Sequence, residues 1–280
     1  MVETQHPSAE HSVGELSAAQ FAKVSGMVYA ICGLKLHAGK EELVKARLSK
    51  RIRALDLDGF DEYLAYVEGD RSGQEQSMMI DALTTNKTSF FREPQHFDYL
   101  RRQILPGLRS AAKIRLWSAG CSSGEEPYTL AILVREELPD IARRDVRILA
   151  TDISTRMLGI AREAVYEQDK LEDIAPQLVQ RNFTCVSTGS PRSYQVKPEV
   201  RKLVQCAQLN LIGNWPMRGP FDAIFCRNVM IYFDKPTQER LVHRYWELLR
   251  PGGHLFVGHS ESLSNTSREF RYVQPAVYVK

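Results

Sequence analysis

The fold of this chain is decided by residues 114–127, which read IRLWSAGCSSGEEP. The first six residues form a short apolar strand, and Glu125 and Glu126 begin a helical pattern. Between them lies a turn of small residues from Gly120 to Gly124, and small residues let a backbone approach a ligand closely. Such a turn is also a common strand-to-helix connector, so by itself it does not predict a ligand site.

Outward from this stretch, strands and helices alternate to the end of the chain. The alternation predicts an α/β domain with a doubly wound, mostly parallel, Rossmann-like sheet. The predicted strands are 114–119, 146–151, 221–226, 254–258 and 272–279, and the predicted helices are 125–138, 154–164 and 236–249. The strand-like runs Phe183–Ser187 and Ser193–Lys197 flank a turn sequence, which predicts a β-hairpin insertion over residues 183–198.

The N-terminal part of the chain has helical patterns only. Ser17 and Gln20 fit a capping box, as do Ser72 and Glu75, and a further helix is expected from about residue 40 to residue 55. Residues 1–15 are polar and are expected to form a disordered leader. The predicted domains are therefore a small all-helical domain over 16–92 and the α/β domain over 93–280.

Composition narrows the class of protein. The 280 residues carry a net charge of +3, which is too balanced to predict a nucleic-acid partner. No apolar run approaches the roughly 20 residues of a membrane helix. The five cysteines lack metal-ligand spacing and are interpreted as reduced core residues, although Cys121 or Cys226 is an alternative catalytic thiol. We expect a cytoplasmic monomer without membrane insertion and without a metal.

Asp152, at the end of the second strand, favours a nucleoside-binding site. An acidic residue at this position can accept hydrogen bonds from both ribose hydroxyls of a nucleoside. The alternative is an N-cap, because Asp152 and Ser154 both precede a helix. The two roles are compatible.

The spacing of the glycines decides which nucleoside is favoured. A dinucleotide site has the pattern GxGxxG, whereas this turn has GxxxG followed at once by Glu125 and Glu126. Two carboxylates would repel a pyrophosphate but suit a cofactor with a cationic amine and a sulfonium. The sequence therefore favours S-adenosylmethionine over NAD and ATP.

Five motifs together resemble one family, the CheR-type chemotaxis receptor methyltransferases. They are TTNKTSFFRE (84–93), SSGEEPY (122–128), ATDI (150–153), FDAIFCRNVMIYF (221–233) and GHSES (258–262). The resemblance implies transfer of a methyl group from S-adenosylmethionine to glutamate side chains on the cytoplasmic helices of chemoreceptors, with S-adenosylhomocysteine as the second product. The chain departs from methyltransferases in general at Ser118, because those enzymes carry an acidic residue on the first strand. Glu126 is a candidate to take over the role of that acidic residue.

The resemblance also implies roles for individual residues. Arg92 and Tyr232 would face the acceptor carboxylate, with Arg92 orienting it through its planar guanidinium. Alternatively, Arg92 forms a structural ion pair with Glu93 or Glu126. The implied cofactor-binding residues are Asn86, Thr88, Arg92, Gly120, Glu126, Asp152, Asn210, Leu211, Arg227 and Asn228. His259 is interpreted as structural or as a pocket wall.

The helix predicted over residues 40–55 carries basic side chains that are expected to dock on acidic receptor helices. They are Lys40, Arg47, Lys50, Arg51 and Arg53. Docking of a receptor peptide by the hairpin is less expected, because the hairpin has only one loop glycine, Gly189. Two alternative functions stay open: methylation of a small carboxylic acid, and non-catalytic binding of S-adenosylmethionine as a signal.

Overall fold

The chain divides between Thr84 and Thr85 into two units, whereas the boundary predicted from the sequence follows residue 92. The computed structural model describes residues 13–138, 140–263 and 269–280. Most of the predicted leader, residues 1–12, lies outside the described residues. No helix among the described residues is long and apolar enough to cross a membrane.

The N-terminal unit is helical, and its helices are α1 (Ala18–Cys32), α2 (Glu41–Ala54), α3 (Phe60–Gly69) and α4 (Gln74–Leu83). The Ser17–Gln20 capping box is present at the start of α1, which ends at Gly33 in the left-handed region. Helix α3 was not identified from the sequence. Its apolar residues are buried at helical spacing: Phe60, Tyr63, Leu64 and Val67.

The predicted capping box at Ser72 and Glu75 is wrong. Gly73 is the N-cap of α4 and makes no side-chain cap. The Glu75 carboxylate instead accepts two hydrogen bonds from Arg51, at 3.0 and 2.6 Å, and one from the Tyr63 hydroxyl at 3.0 Å. The Glu75 N–H, which the Ser72 hydroxyl would have capped, donates instead to the Asp70 carboxylate at 2.7 Å, so a neighbouring residue replaces Ser72 as the cap.

The second unit contains a seven-stranded sheet in the order β6-β2-β1-β7-β8-β10-β9. Its strands are β1 (Lys113–Ala119), β2 (Asp145–Asp152), β6 (Val204–Gln208), β7 (Phe221–Cys226), β8 (Leu249–Val257), β9 (Arg271–Gln274) and β10 (Val277–Val279). The helices of this unit are α5 (Pro94–Tyr99), α6 (Glu125–Glu137), α7 (Thr155–Glu163), α8 (Pro176–Asn182), α9 (Pro198–Arg201) and α10 (Lys235–Leu248). The predicted doubly wound, mostly parallel sheet is confirmed.

The central strands are apolar on both faces because both faces are covered. Leu116 and Phe225 belong to a cluster that includes residues of α6, whereas Trp117 and Ile224 belong to one that includes residues of α10. All six residues of β7 are buried, as expected of a strand inside a parallel sheet. This is why these strands could be read directly from the sequence.

The edges of the sheet differ from the prediction. The single strand expected over 272–279 is two strands, β9 and β10, which pair antiparallel. Strand β6 was not identified, although it pairs in parallel with β2 along five residues. The predicted hairpin is formed by β4 (Phe183–Ser187) and β5 (Ser193–Val196), and β3 (Val165–Glu167) adds a third strand to it.

Strand β1 lies at the point where the winding of the sheet reverses. It pairs in parallel with β2 on one side and with β7 on the other. In open α/β sheets, ligands bind at such a switch point, beyond the carboxyl ends of the strands. The residues that follow β1, β2 and β7 are therefore where a site is expected.

Candidate active site

The glycine turn after β1 depends on positive backbone angles. Gly120 has φ 93°, and a Cβ atom there would lie 2.4 Å from Cγ2 of Val229. Gly124 has φ 99°, and its Cβ would lie 2.8 Å from the Tyr166 hydroxyl. The backbone N–H of Gly120 donates to the Thr151 carbonyl at 2.7 Å, which ties the turn to the end of β2. Larger residues would open this turn.

Asp152 is buried and holds the turn by its carboxylate. One oxygen accepts the Ser122 N–H at 2.8 Å, and the other accepts the Ser154 N–H at 2.9 Å. Ser154, not Asp152, is the N-cap of α7, since its hydroxyl accepts the Met157 N–H at 3.1 Å. The Asp152 carboxylate stands at the carboxyl end of β2, the position where an acidic residue accepts hydrogen bonds from ribose hydroxyls in nucleoside sites.

Glu126 lies in the first turn of α6 and is buried beneath the end of β1. Its carboxylate accepts the Ser118 hydroxyl at 2.7 Å and pairs with the Arg227 guanidinium at 2.7 Å. Burial raises the pKa of Glu126, and the charge of Arg227 opposes that shift. Ser118 thus brings a carboxylate to the end of β1, which fits the expectation that Glu126 substitutes for an acidic residue on that strand.

Glu125 is also buried but has different partners. Its carboxylate accepts the Ser123 hydroxyl at 2.7 Å. Burial raises the pKa of Glu125, and the Ser123 hydrogen bond offsets part of that shift. Both carboxylates stand at the N-terminus of α6, where the helix dipole favours negative charge.

Arg227, directly after β7, is the centre of a buried ion network. Its guanidinium pairs with Glu126 at 2.7 Å and with Glu93 at 3.0 Å, and it also donates to the Arg92 carbonyl. Burial alone would raise the pKa of Glu93, but the charge and hydrogen bond of Arg227 outweigh it and the net shift is downward. Arg227, and not Arg92, therefore forms the ion pairs with Glu93 and Glu126 that the alternative assigned to Arg92.

Arg92 has neutral partners. Its guanidinium donates to the Asn228 side-chain oxygen at 2.5 Å and to the Lys87 carbonyl at 2.7 Å. Asn228 has φ 61°, an uncommon backbone conformation for a residue other than glycine. The structure thus brings together four of the residues named from the sequence, Arg92, Glu126, Arg227 and Asn228, and their roles stay a prediction.

Glu261 supports the loop after β7 and was not identified from the sequence. Its carboxylate accepts the N–H groups of Asn228, Ile231 and Gly258, at 3.0, 3.1 and 2.5 Å. A Cβ atom on Gly258 would lie 2.6 Å from the side-chain nitrogen of Asn228 and 2.9 Å from its backbone nitrogen, so only glycine fits there. The signal was present in the GHSES motif, where an acidic residue follows a glycine by three positions.

The remaining predicted cofactor residues lie in loops around these groups. The Asn86 carbonyl accepts the Ser122 hydroxyl at 3.0 Å, and Thr88 is half-buried in the same loop. Asn210 and Leu211 follow β6, where the Leu209 N–H donates to the Asp152 carbonyl at 3.0 Å. Asn210 turns its side-chain oxygen to the Ile212 N–H, and Leu211 is buried.

Tyr232, predicted to lie near the acceptor, follows β7 closely in the chain. Tyr232 ends the short helical turn Met230–Tyr232 and is half-buried, and its role stays a prediction.

Burial raises the pKa of both the Cys121 and the Cys226 thiol. A thiol held in its neutral form is a poor nucleophile, which argues against the alternative of cysteine catalysis.

The predicted docking residues of α2 separate into two groups. Arg51 pairs with buried Glu75 at 2.6 Å, and Arg47 donates to the Leu83 and Thr84 carbonyls. These two guanidiniums are engaged within the helical unit, which corrects the expectation that all five charges face a partner. The exposed members are Lys40, Lys50 and Arg53.

This arrangement fits a nucleoside cofactor that carries an amine and a sulfonium. Asp152 offers acceptors at the end of β2, and Glu126 offers a buried carboxylate at the end of β1. The glycine turn between them leaves room for close approach.

Comparison with known proteins agrees with the geometry. Residues 86–279 match the family described as CheR methyltransferase, SAM binding domain, and residues 19–84 match its all-alpha domain. The chain is 44% identical over 246 residues to "Probable chemotaxis protein methyltransferase" of Rhizobium etli, covering 86% of this chain and 92% of that protein. It is 42% identical to the chemotaxis protein methyltransferase of Klebsiella aerogenes (94% and 90% covered) and 39% identical to that of Escherichia coli (94% and 91% covered). The chain therefore belongs to the CheR methyltransferase family.

Proposed function

We propose that this S-adenosylmethionine-dependent methyltransferase esterifies glutamate side chains on the cytoplasmic helices of chemoreceptors. The observation that carries the proposal is the buried network in which Arg227 joins Glu126 and Glu93 while Arg92 is held by Asn228. This network places a guanidinium from the 84–93 motif at the carboxyl end of β7. An acceptor carboxylate is a natural partner for it.

The proposed reaction needs no general base. A glutamate carboxylate has an ordinary pKa of ~4.3 and is therefore ionised at neutral pH. When bound, S-adenosylmethionine supplies a sulfonium methyl group that a carboxylate can attack in line. The work left to the protein is alignment and exclusion of water, and alignment alone can contribute roughly 7–11 kcal/mol in well-oriented systems.

We assign the residues to separate tasks. Glu126 holds the cationic amine of the methionine end, and Asp152 holds the ribose hydroxyls. Arg92 orients the acceptor carboxylate, with Asn228 fixing the guanidinium through the 2.5 Å hydrogen bond. Asn86, Thr88, Asn210 and Leu211 line the cofactor, and Tyr232 is a candidate hydrogen-bond donor to the acceptor.

The exposed basic residues of α2 are proposed as the receptor-docking surface. Lys50 and Arg53 are three residues apart and thus share one face of the helix. Attraction to acidic receptor helices would steer association and would weaken as salt increases. We further propose that the protein acts in the cytoplasm as a monomer, without nucleic acid.

The experiment that tests this function incubates the protein with methyl-labelled S-adenosylmethionine and membranes rich in chemoreceptor. Base-labile label on the receptor is the expected result. Label on a small acid, with none on protein, would support the small-molecule alternative. Cofactor binding without transfer to any acceptor would support a non-catalytic module.

A further inference from the structure

Three side chains with metal-binding atoms lie together beside the Arg227 network. They are Glu93 directly before α5, His96 in that helix, and His259 after β8. One carboxylate oxygen and one nitrogen of each imidazole all lie within 4.8 Å of one another. The two imidazole rings have centroids 4.9 Å apart and planes inclined by 80°.

His96 lacks hydrogen-bond partners for its ring nitrogens within the described residues. Its side chain is fully buried. A buried polar group without a partner destabilises the fold and is uncommon in folded proteins. Its Nδ1 atom lies 3.4 Å from the Glu93 carboxylate, which is too far for a good hydrogen bond.

The geometry of this pair suits a shared cation. Two ligands at about 2.1 Å from a tetrahedral Zn²⁺ stand about 3.4 Å apart. The Glu93 and His96 atoms already have this separation. His259 is exposed, so its ring can turn to complete a third bond, and the ion can enter from solvent on that side.

The donor types are also suitable, because imidazole nitrogens and carboxylate oxygens are common ligands of zinc. A set of two imidazoles and one carboxylate selects zinc-like transition cations over Mg²⁺ and Ca²⁺.

We propose that Glu93, His96 and His259 form a binding site for a divalent transition cation of the Zn²⁺ class. The proposed methyl transfer requires no metal, so the ion plays no part in the reaction itself. Glu93 also pairs with Arg227 at 3.0 Å, so the ion and Arg227 compete for one carboxylate. Metal binding is thereby coupled to the network that holds Arg92, and occupancy by the ion is expected to inhibit turnover.

The test titrates Zn²⁺ into the full chain by calorimetry, and Co²⁺ as a probe whose visible absorption reports four-coordinate binding. Both titrations omit cofactor and receptor, so their outcome is independent of the proposed function. A Cys185→Ser background removes the one exposed thiol among the described cysteines. We expect one equivalent of Zn²⁺ to bind, and Mg²⁺ not to compete.

The decisive variant is His259→Ala, because His259 is exposed and its loss should spare the fold. Affinity for Zn²⁺ should fall by at least about 10-fold, and the Co²⁺ absorption should be lost. The matched control is His243→Ala, an exposed histidine beside Glu247 and Glu269, and it should bind as the parent does. Unchanged affinity in His259→Ala, or no stoichiometric binding to the parent, would overturn the proposal.

Discussion

Arg92 donates from Nη2 to the side-chain oxygen of Asn228 at 2.5 Å, although the two residues are 136 positions apart in the chain. Asn228 is itself anchored, because its N–H donates to buried Glu261 at 3.0 Å. The loop after β7 thus fixes a guanidinium that comes from the segment before α5. Orientation of this group is what we expect the methyl transfer to depend on.

Replacement of Arg92 should therefore affect turnover more than cofactor binding. For Arg92→Ala, kcat should fall roughly 100-fold, the usual loss for one positioned donor to a reacting group. Affinity for S-adenosylhomocysteine should change far less. Arg92→Lys should be intermediate, since it keeps the charge but lacks the planar fork. A loss of cofactor affinity as large as the loss of kcat would show that Arg92 acts on the cofactor.

Asp152 should matter for cofactor affinity. Asp152→Ala removes the acceptors proposed for the ribose hydroxyls, and affinity for S-adenosylhomocysteine should fall at least about 10-fold, or ~1.4 kcal/mol. Calorimetry measures the change, and circular dichroism checks that the fold survives. Asp169→Ala, at an exposed carboxylate of the same unit, is the control. Wild-type affinity in Asp152→Ala would refute the ribose assignment.

The strands and ion pairs of the second unit differ in how far the sequence could predict them. Strands β1 and β7 were predictable because burial on both faces leaves a continuous apolar run. Strand β6 was missed because Gln205 and Gln208 interrupt its apolar pattern. The ion pairs of Arg227 were out of reach, since they join residues 101 and 134 positions apart. Periodicity reports local structure, whereas pairing of distant charges depends on the complete fold.

Residues of the site illustrate the same division. Asp152, Glu126 and the glycine turn stand next to strand ends, so the pattern of strands was enough to locate them. Glu261 acts by supporting the loop after β7, and no periodicity marks such a role. Its role becomes visible only through the hydrogen bond that it accepts from the Asn228 N–H. Ser118 stood out in the sequence as a departure from related enzymes, but its hydrogen bond to Glu126 depends on the complete fold.

Gly120 should tolerate no side chain. In Gly120→Ala the new Cβ would meet Val229 at 2.4 Å and φ would stay at 93°. Strain of this backbone region costs about 1–3 kcal/mol, and the clash adds to it. Gly39→Ala is a matched control, because φ is 88° there and nothing lies within 4 Å. Chemical denaturation should show the larger loss of stability in Gly120→Ala, and equal losses would contradict the close approach.

The buried histidine predicts a pH dependence of stability. The pKa of His96 falls from 6.5 to about 3 through burial, so the unfolded chain binds a proton between these values and the folded chain does not. The free energy of unfolding should therefore decrease as pH falls from 6.5 towards 3, by up to about 1.4 kcal/mol per pH unit from this group.

His96→Asn should flatten that slope when unfolding is followed by denaturant titration in the presence of a chelator. The comparison variant is His254→Asn, since burial lowers the pKa of His254 to about 4. It should flatten the slope over the narrower window between pH 6.5 and 4. Parallel stability curves for wild type and His96→Asn would mean that His96 takes up its proton in the folded state.

The basic surface of α2 should act on the receptor and not on the cofactor. In the double variant Lys50→Glu and Arg53→Glu, kcat/KM for receptor should fall at least about 10-fold at low salt, with an unchanged affinity for S-adenosylhomocysteine. The difference from wild type should shrink as salt screens the charges. Lys35→Glu, at an exposed lysine of the same unit outside α2, should have little effect. Rates that are insensitive to both salt and charge reversal would remove α2 from the docking surface.

The most direct measurement uses a purified chemoreceptor cytoplasmic fragment, wild-type protein and S-adenosylmethionine, followed by peptide mass spectrometry. The account predicts methyl esters on glutamate side chains of the fragment, reversed by mild base, and a greatly reduced yield with Arg92→Ala. Methylation of another residue type, or no methylation of the fragment by a protein that binds the cofactor, would contradict it.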